Sequence, residues 1–322
     1  RGGRVRQLAT QPAGRTVGLV TAAIEELRPD VVLTFGGDGT FNEVARGILA
    51  AAEAAKAATG TSERPVPLGM LPMGTANNQG RSFGLGAGPK AIEKNLDVVF
   101  AGHVTQLDVG YLSLLDVDGR VTHESAFFDS VGWGMQADIL AQRNRDRAAV
   151  NEIPLLREVW RDQAVYAGAT ITKLLESYVQ PTKFDARIVS EGESHLYTGM
   201  TDIVISNTAL YAGEWIVDRN SEPDDGRFEL APFQGRRDWL SKTIRDLTVL
   251  DIKQEDLDVL GITHSVGYTA KDFDVELTRF GNETVAAQLD GEEWKPGRHY
   301  RVRCDPQALP LLTPRRFVPP WR

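Results

Sequence analysis

The sequence contains a single cysteine, Cys304, so no disulfide can form within the chain. Its five histidines are not spaced with that cysteine in a way typical of zinc sites. This shortage favours a reducing compartment, where free thiols persist. The chain also lacks an unbroken apolar run of about eighteen residues and the short apolar core of a signal peptide. We therefore expect a cytoplasmic protein without a membrane-spanning helix.

Positive charge is also scarce, since 36 Lys and Arg residues stand against 44 Asp and Glu residues, a net charge of −8. This balance argues against a nucleic-acid partner and against broad electrostatic attachment to anionic lipid. A local basic face remains compatible with it. The length of 322 residues and the hydrophobic fraction of 42% suit two domains with cores of their own.

The most informative segment is an apolar run, residues 31–35, that stops at the glycine-rich turn 36–40 and continues as a helical pattern. Glycines leave no Cβ in the way of a polyanion, so backbone N–H groups and the helix start can bind phosphate. Asp38 would repel phosphate unless it holds Mg²⁺ or accepts a proton from an attacking hydroxyl. The turn therefore indicates phosphoryl transfer. A sharp strand-to-helix turn without a ligand is the alternative.

A second apolar run, residues 66–72, ends in a similar turn that contains Gly74, Thr75 and Asn77. Ligands of parallel α/β sheets collect at the carboxyl ends of the strands. The two turns are therefore expected to face one crevice and to share one nucleotide site.

Six ordered blocks resemble the catalytic domain of the diacylglycerol kinase family, which also contains sphingosine, ceramide and bacterial soluble lipid kinases. They are GGDGTFNEV, LPMGTAN, FFDSVGWG, the stretch from Ser206-Asn207 to Tyr211-Ala212-Gly213, DDGRF and QLDGE. The resemblance implies a Rossmann-like three-layer α/β nucleotide-binding domain followed by a β-sandwich-like domain, as in NAD kinase and diacylglycerol kinase. We expect the first domain at 1–108 and the second at 109–304, with a helical insertion at about 137–179. Residues 305–322 are expected to return to the first domain.

Alternating apolar patterns predict the individual elements. Helices are expected at Val17–Leu27, Phe41–Ala58 and Ala91–Ala101. Strands are expected at residues 5–8, 31–35, 66–72, 187–189, 202–206, 228–230, 273–277 and 285–289. Residues 105–110 are expected to carry the chain out of the first domain, and the closing segment, residues 300–303 and 309–312, to return to it. The family usually begins with a further strand and an Asn-Pro-x-Ser-Gly phosphate turn, and neither occurs ahead of Val5 in this sequence.

The resemblance also implies the positions that bind ATP. They are Thr10, Gly36, Gly37, Asp38, Gly39, Thr40, Phe41, Asn42, Gly74, Thr75 and Asn77. Asn78 departs from the aspartate that is more usual at its position, which removes a charge near this site.

A Mg²⁺ site is implied at the Asp224-Asp225-Gly226 turn, with the carboxylate of Asp225 and the backbone carbonyls of Glu222 and Arg227 as ligands. Oxygen ligands suit this hard cation. From the residues alone, a plain hairpin turn explains the same pattern.

The block Asp290-Gly291-Glu292 is either a tight hairpin turn or, by the resemblance, an acid pair that reaches into the cleft. We favour Glu292 as the base that deprotonates the lipid hydroxyl, with Asp290 close by. Asp38 is then the organiser of the metal or a rival base.

These residues predict an ATP- and Mg²⁺-dependent lipid kinase that phosphorylates a hydroxyl of diacylglycerol or a related lipid. We expect a lipid substrate, transient contact with the membrane surface and no nucleic acid, and a homodimer stays open. One alternative is NAD kinase, which shares the GGDGT loop. The other is a catalytically inactive lipid-binding or regulatory relative, which the absent first phosphate turn and Asn78 make credible.

Overall fold

The computed structural model describes residues 3–61, 64–141, 183–211, 215–216, 221–235, 238 and 267–316. Within these ranges, no helix combines the length and the apolar character that crossing a bilayer requires. The predicted insertion falls largely outside them, because only its first part, residues 137–141, is described, as helix.

The amino-terminal part is an α/β unit. Its helices are α1 Arg15–Leu27, α2 Asp38–Thr59, α3 Asn78–Ser82 and α4 Ile92–Ala101, with a 3-10 turn at Pro89–Ala91. Its parallel strands are β1 Val32–Gly36 and β2 Leu68–Pro72. The predicted helices and these two strands are therefore confirmed to within a few residues.

Side-chain alternation along these strands produces three layers. Phe41, Ile48 and other apolar residues of α2 pack in one core with Leu68 and Met70 of β2. The opposite face of β2 carries Gly69, and a Cβ there would lie 3.0 Å from Val99 of α4. Helices thus cover both faces of the sheet, with α1 packed on α2.

Antiparallel strands form the rest of the described chain. They are β3 Val104–Leu115, β4 Val121–Phe127, β5 Ser130–Gly134, β6 Phe184–Ser190, β7 Glu193–Met200, β8 Asp202–Ser206, β9 Leu210–Tyr211, β10 Trp215–Ile216, β11 Phe228–Phe233, β12 Tyr268–Ala270, β13 Asp272–Thr278, β14 Val285–Leu289, β15 Glu292–Gly297 and β16 His299–Leu312. A 3-10 turn at Phe280–Asn282 lies between β13 and β14.

Two larger sheets enclose the second core. One contains β1-β2-β16-β13-β6-β7 in that order, with β3 paired to β16 and β4 paired to β3, and the other has the order β12-β11-β8-β5-β14-β15. The core between them is built by large side chains such as Trp133, Phe228 and Tyr300. The long strands β3 and β16 belong to both parts of the molecule, since the carboxyl end of β16 pairs with β2 at Leu311 and Leu68. The predicted α/β-plus-β fold class is confirmed.

One element prediction was wrong. Residues 5–8 form no strand and Val5 is 92% exposed, and within the described part of the chain no strand pairs with this segment. The closing segment, residues 300–303 and 309–312, lies in one strand, β16, whose pairing with β3 shifts between Asp305 and Leu309. A bulge of this kind bends a strand without ending it.

Two glycines inside helices provide a test of the α1–α2 packing. A Cβ on Gly47 would lie 2.7 Å from Cβ of Val20, whereas a Cβ on Gly18 would meet nothing within 4 Å. We expect Gly18→Ala to raise the free energy of unfolding by about 0.5–1 kcal/mol, because alanine restricts the unfolded chain and favours helix. Gly47→Ala should lower it by about 1–3 kcal/mol through overpacking.

Urea unfolding of both variants measures this difference, and each glycine is the control for the other. Equal stabilities would contradict the close packing of α1 on α2.

Candidate active site

The two glycine-rich turns touch each other through their backbones. We call residues 36–40 the phosphate loop and residues 73–77 the second turn. A Cβ on Gly74 would lie 2.5 Å from Cα of Gly37, so only glycine fits this contact. The amide of Met73 also donates to the carbonyl of Gly36 at 2.7 Å. The two turns are therefore neighbours, and a crevice that both of them face stays a prediction.

The phosphate loop leads directly into α2, whose N-cap is Gly37. The first N–H groups of a helix have no partner within it and carry a partial positive charge, which suits an anion. Asp38 is the acid of this first turn, and its Oδ1 accepts the amide of Gln79 at 3.2 Å. Asp38 thus ties the start of α2 to α3.

The predicted nucleotide residues of the second turn differ in their exposure and in what they contact. The side chain of Asn77 accepts from the amide of Gly74 at 2.8 Å and donates to its carbonyl at 2.7 Å. Asn77 therefore shapes the turn, and Thr75 and Gly74 are exposed on it. Thr10 lies in the exposed extended segment ahead of α1.

One predicted nucleotide contact has to be corrected. The ring of Phe41 is buried edge-to-face against Phe128, with centroids 5.6 Å apart, and its amide donates to the carbonyl of Gly37 at 3.0 Å. Neither its ring nor its N–H remains for phosphate, so Phe41 serves the core. Asn42 is also buried, and its Oδ1 has no hydrogen-bond partner among the described residues.

The β14–β15 hairpin brings an acid to the phosphate loop. Its turn residues Asp290 and Gly291 have φ values of 50° and 77°, the left-handed conformation of a tight hairpin turn. The next residue, Glu292, is exposed at the start of β15. A Cβ added to Gly39 would lie 3.3 Å from Oε1 of Glu292. The acid pair and the phosphate loop are therefore neighbours in space although they are far apart in sequence.

Asp290 itself is held by the backbone. Its carboxylate accepts the amides of Phe128, Asp129 and Ser130 at 2.8–3.2 Å, and its side chain is only 2% exposed. Arg46 of α2 lies 3.8 Å from Oδ2. Burial raises the pKa of Asp290 to about 6, against the opposing pull of Arg46 and the three amides. Asp290 is thus fully engaged in orienting the turn.

A buried acid that the sequence analysis missed lies beside Asp290. Asp129 follows β4, and its Oδ2 accepts the Nδ2 of Asn78 at 2.9 Å. The hydroxyl of Thr208 donates to its Oδ1. Burial raises the pKa of Asp129 to about 7, and the charges of Asp290 and Asp38 add to the increase. An acid within the apolar run of residues 127–134 was the only sequence signal.

The predicted Mg²⁺ loop, residues 222–227, is organised by Asp108, a second buried acid that the analysis missed. Its carboxylate accepts the amides of Gly226 and Gln307, both at 2.6 Å. Burial, together with the charges of Asp225 and Asp224, raises the pKa of Asp108.

The donor set of this loop suits a hard cation, since it offers carboxylate and carbonyl oxygens with crowded negative charge. Asp225 and Glu222 are exposed. The side chain of Arg227 instead pairs with Glu191 at 2.9 Å, so only its carbonyl could serve as a ligand.

Another group of metal-ligating side chains lies on the outer face of β13 and β16. Asp274, Glu276 and His299 have ligand atoms within 4.8 Å of one another. Arg187 lies 3.2 Å from Glu276 and Arg301 lies 3.8 Å from Asp274. These ion pairs explain the group as a cross-strand charge ladder.

Known proteins match both the sequence and the fold. Residues 1–112 match the family model of the diacylglycerol kinase catalytic domain. A diacylglycerol kinase of Staphylococcus saprophyticus is 34% identical over 124 residues, which are 36% of this chain and 35% of that protein. One of Staphylococcus carnosus is 38% identical over 122 residues, with 36% and 35% covered.

The crystal structure of a diacylglycerol kinase from Bacillus anthracis superimposes with a TM-score of 0.62 at 16% identity, covering 96% of this chain and 84% of that one. This likeness concerns the fold. The family match covers the first 112 residues, and it is to the same family that the sequence motifs resemble. The match spans about a third of the length of the two staphylococcal relatives.

The buried carboxyl groups with raised pKa values predict how the stability of the protein depends on pH. A carboxyl whose pKa is higher in the folded protein binds protons more tightly there, so its contribution is present at low pH and is lost as pH rises through the folded pKa. Asp129, with a pKa raised to about 7, loses its contribution last. The charges that face it belong to Asp290 and Asp38, and Arg46 faces Asp290. As pH rises from about 4 to about 7, the stability of Asp129→Asn relative to the unsubstituted protein should therefore increase.

Urea unfolding across this range provides the measurement. Asp272→Asn is the control, since this acid is exposed on β13 and is not desolvated. If the free energy of unfolding of Asp129→Asn changed with pH in the same way as that of the unsubstituted protein, the assignment of a desolvated carboxyl at this position would be contradicted.

Proposed function

We propose that the chain is an ATP-dependent lipid kinase that transfers the γ-phosphate to a hydroxyl of diacylglycerol or a related lipid. The observation that carries the proposal is the proximity of Glu292 to Gly39, which puts an exposed carboxylate beside a helix start built for phosphate. A base and a phosphate site at this separation are what phosphoryl transfer to an alcohol needs.

In the proposed reaction, the amides at the start of α2 and the second turn hold the triphosphate. Glu292 takes the proton of the lipid hydroxyl as its oxygen attacks the γ-phosphorus. The bond between that phosphorus and the β-phosphate oxygen breaks, and ADP leaves. Glu292 is a better base than Asp290, because Asp290 is buried with its oxygens occupied by three amides. Asp38, half-exposed at the start of α2, is the remaining candidate for organising a cation.

Mg²⁺ fits two places in this proposal, and its chemistry there would be to neutralise the negative charge that develops on the phosphates. Asp38 would hold the ion that accompanies ATP. Asp225, with the carbonyls of Glu222 and Arg227, would hold a structural ion in the loop that Asp108 organises.

The proposed substrate also implies a partner surface. A lipid hydroxyl must reach the cleft from a bilayer, so we include transient contact with the membrane surface in the proposal. A homodimer would also be compatible with the proposed function, because none of the described contacts around Glu292 and the phosphate loop depends on a second copy of the chain.

Phosphate transfer from radiolabelled ATP to lipid vesicles and to NAD tests the function. We expect product from vesicles that contain diacylglycerol and none from NAD. Removal of Mg²⁺ by a chelator should abolish transfer. A product from NAD alone would establish the rival kinase, and no product from any acceptor would establish an inactive relative.

Replacing the proposed base provides the matching mutational test. Glu292→Gln keeps the size of the side chain but cannot accept the proton, so kcat should fall by about 10²–10⁴-fold with the affinity for ATP retained. Initial rates with diacylglycerol vesicles and equilibrium binding of ATP measure the two effects. The neighbouring acid provides the control, as Glu293→Gln should keep kcat within about twofold of the unsubstituted rate. Retention of normal kcat in Glu292→Gln would remove this residue from the mechanism.

A further inference from the structure

Hydrogen bonds connect the phosphate loop to the acid hairpin through α3 and Asp129. Asp38 accepts the amide of Gln79, and the neighbouring residue Asn78 donates to Asp129. The amide of Asp129 in turn donates to Asp290 at 2.8 Å. Two residues later, Glu292 returns to Gly39 of the phosphate loop. These contacts therefore form a closed chain, in which the pair of Asn78 and Asp129 connects the two parts of the molecule.

We propose that Asp129 is a positioning residue of the transfer reaction, whose carboxyl group, paired with the amide of Asn78, fixes the hairpin that carries Glu292 against the phosphate loop. This inference rests on the proposed function. Asp129 is only 6% exposed, so we infer that it acts through Glu292.

The surrounding contacts hold Asp129 in place from the other side. The amide of Asn207 donates to the carbonyl of Asp129 at 2.8 Å, and its side chain donates to the carbonyls of Asp108 and Phe128 at 2.7 and 3.1 Å. Thr208 supplies the second hydrogen bond to the carboxyl group. The backbone and side chain of Asp129 are thus both fixed, and movement of this residue would displace the amide that holds Asp290.

The residue types of the pair are complementary. The family more usually has an aspartate where this chain has Asn78, and in this chain the carboxyl group lies one hydrogen bond away, on Asp129. Two carboxylates at this separation would repel in a buried site. An amide offers both donor and acceptor atoms, and Oδ1 of Asn78 has no partner among the described residues. By turning its amide, Asn78 can therefore match either protonation state of Asp129.

Exchanging the two side chains tests the pair directly. Asn78→Asp brings two carboxyl groups together and destroys the match, whereas Asp129→Asn alone leaves two amides that can still pair. The double exchange restores one carboxyl group beside one amide with reversed polarity. We expect Asn78→Asp to lower kcat by about tenfold or more with KM for ATP changed by less than about threefold, and the double variant to recover at least about tenfold over the product of the single effects. Simple multiplication of the two effects would overturn the proposal.

Controls separate positioning from folding. Glu124→Gln makes the same chemical change on an acid that accepts from Ser113 at 2.7 Å on the β3–β4 hairpin, and it should leave kcat unchanged. If an exchanged variant does not fold, Asn78→Ala provides the second test, because it removes only the amide and should produce the same fall in kcat. Normal kcat in Asn78→Ala would overturn the proposal.

Hydrogen exchange distinguishes this inference from the proposed function, since it needs no lipid substrate. In Asn78→Asp, amides of residues 37–42 and of residues 289–293 should both exchange faster by about tenfold, and both should recover in the double variant. If these exchange changes occurred in a protein that phosphorylates no lipid, the link through Asn78 and Asp129 would be retained and the proposed kinase function would be rejected. Unchanged exchange in either segment, with active enzyme, would reject the link.

Discussion

The arrangement of the cleft depends on one interaction, the capture of the Asp290 carboxylate by three successive backbone amides at residues 128–130. A carboxylate in such a ring of donors cannot rotate without losing several charge-assisted hydrogen bonds. The left-handed turn at Asp290 and Gly291 then aims the following residue, Glu292, at Gly39. The side chain of Asp290 thereby fixes a contact between the β14–β15 hairpin and the start of α2, which are some 250 residues apart in the sequence.

Glycine determines the other half of the cleft. The backbone contact between Gly37 and Gly74 brings the two turns closer than any other residue would permit. The side-chain amide of Asn77 then forms two hydrogen bonds with the backbone of Gly74, one with its N–H and one with its carbonyl. Rigidity here has a functional value, because preformed donors lose little entropy when they bind a phosphate. A loose loop with the same residues would lack that advantage.

Sequence reasoning reached the parts of this site that local patterns encode. The boundaries of β8 and β14 were predicted to the residue, because alternation and turn residues define them. The motif turns that contain Asp38 and Gly74 lie near each other and near Glu292. Phe41 was misassigned because the resemblance assigned nucleotide binding to its whole motif, while the helical period turns its ring into the core. Asp129 was missed because its partners, Asn78 and Thr208, are remote in sequence, and no local rule predicts such contacts.

The charge distribution limits how this cleft can work. Asp38, Asp129, Asp290 and Glu292 bring four carboxyl groups together, whereas Arg46 supplies the cation nearest Asp290 among the described residues. Burial raises the pKa of Asp129 to about 7 and that of Asp290 to about 6, which lowers the negative charge that this pair carries near neutral pH, and Asn78 stands where a further carboxylate would add to the repulsion. In the proposed reaction, the remaining negative charge would oppose a free triphosphate. The proposed nucleotide would therefore enter most favourably with a divalent cation already bound, so the acidity of this region is compatible with metal-bound ATP as the proposed substrate.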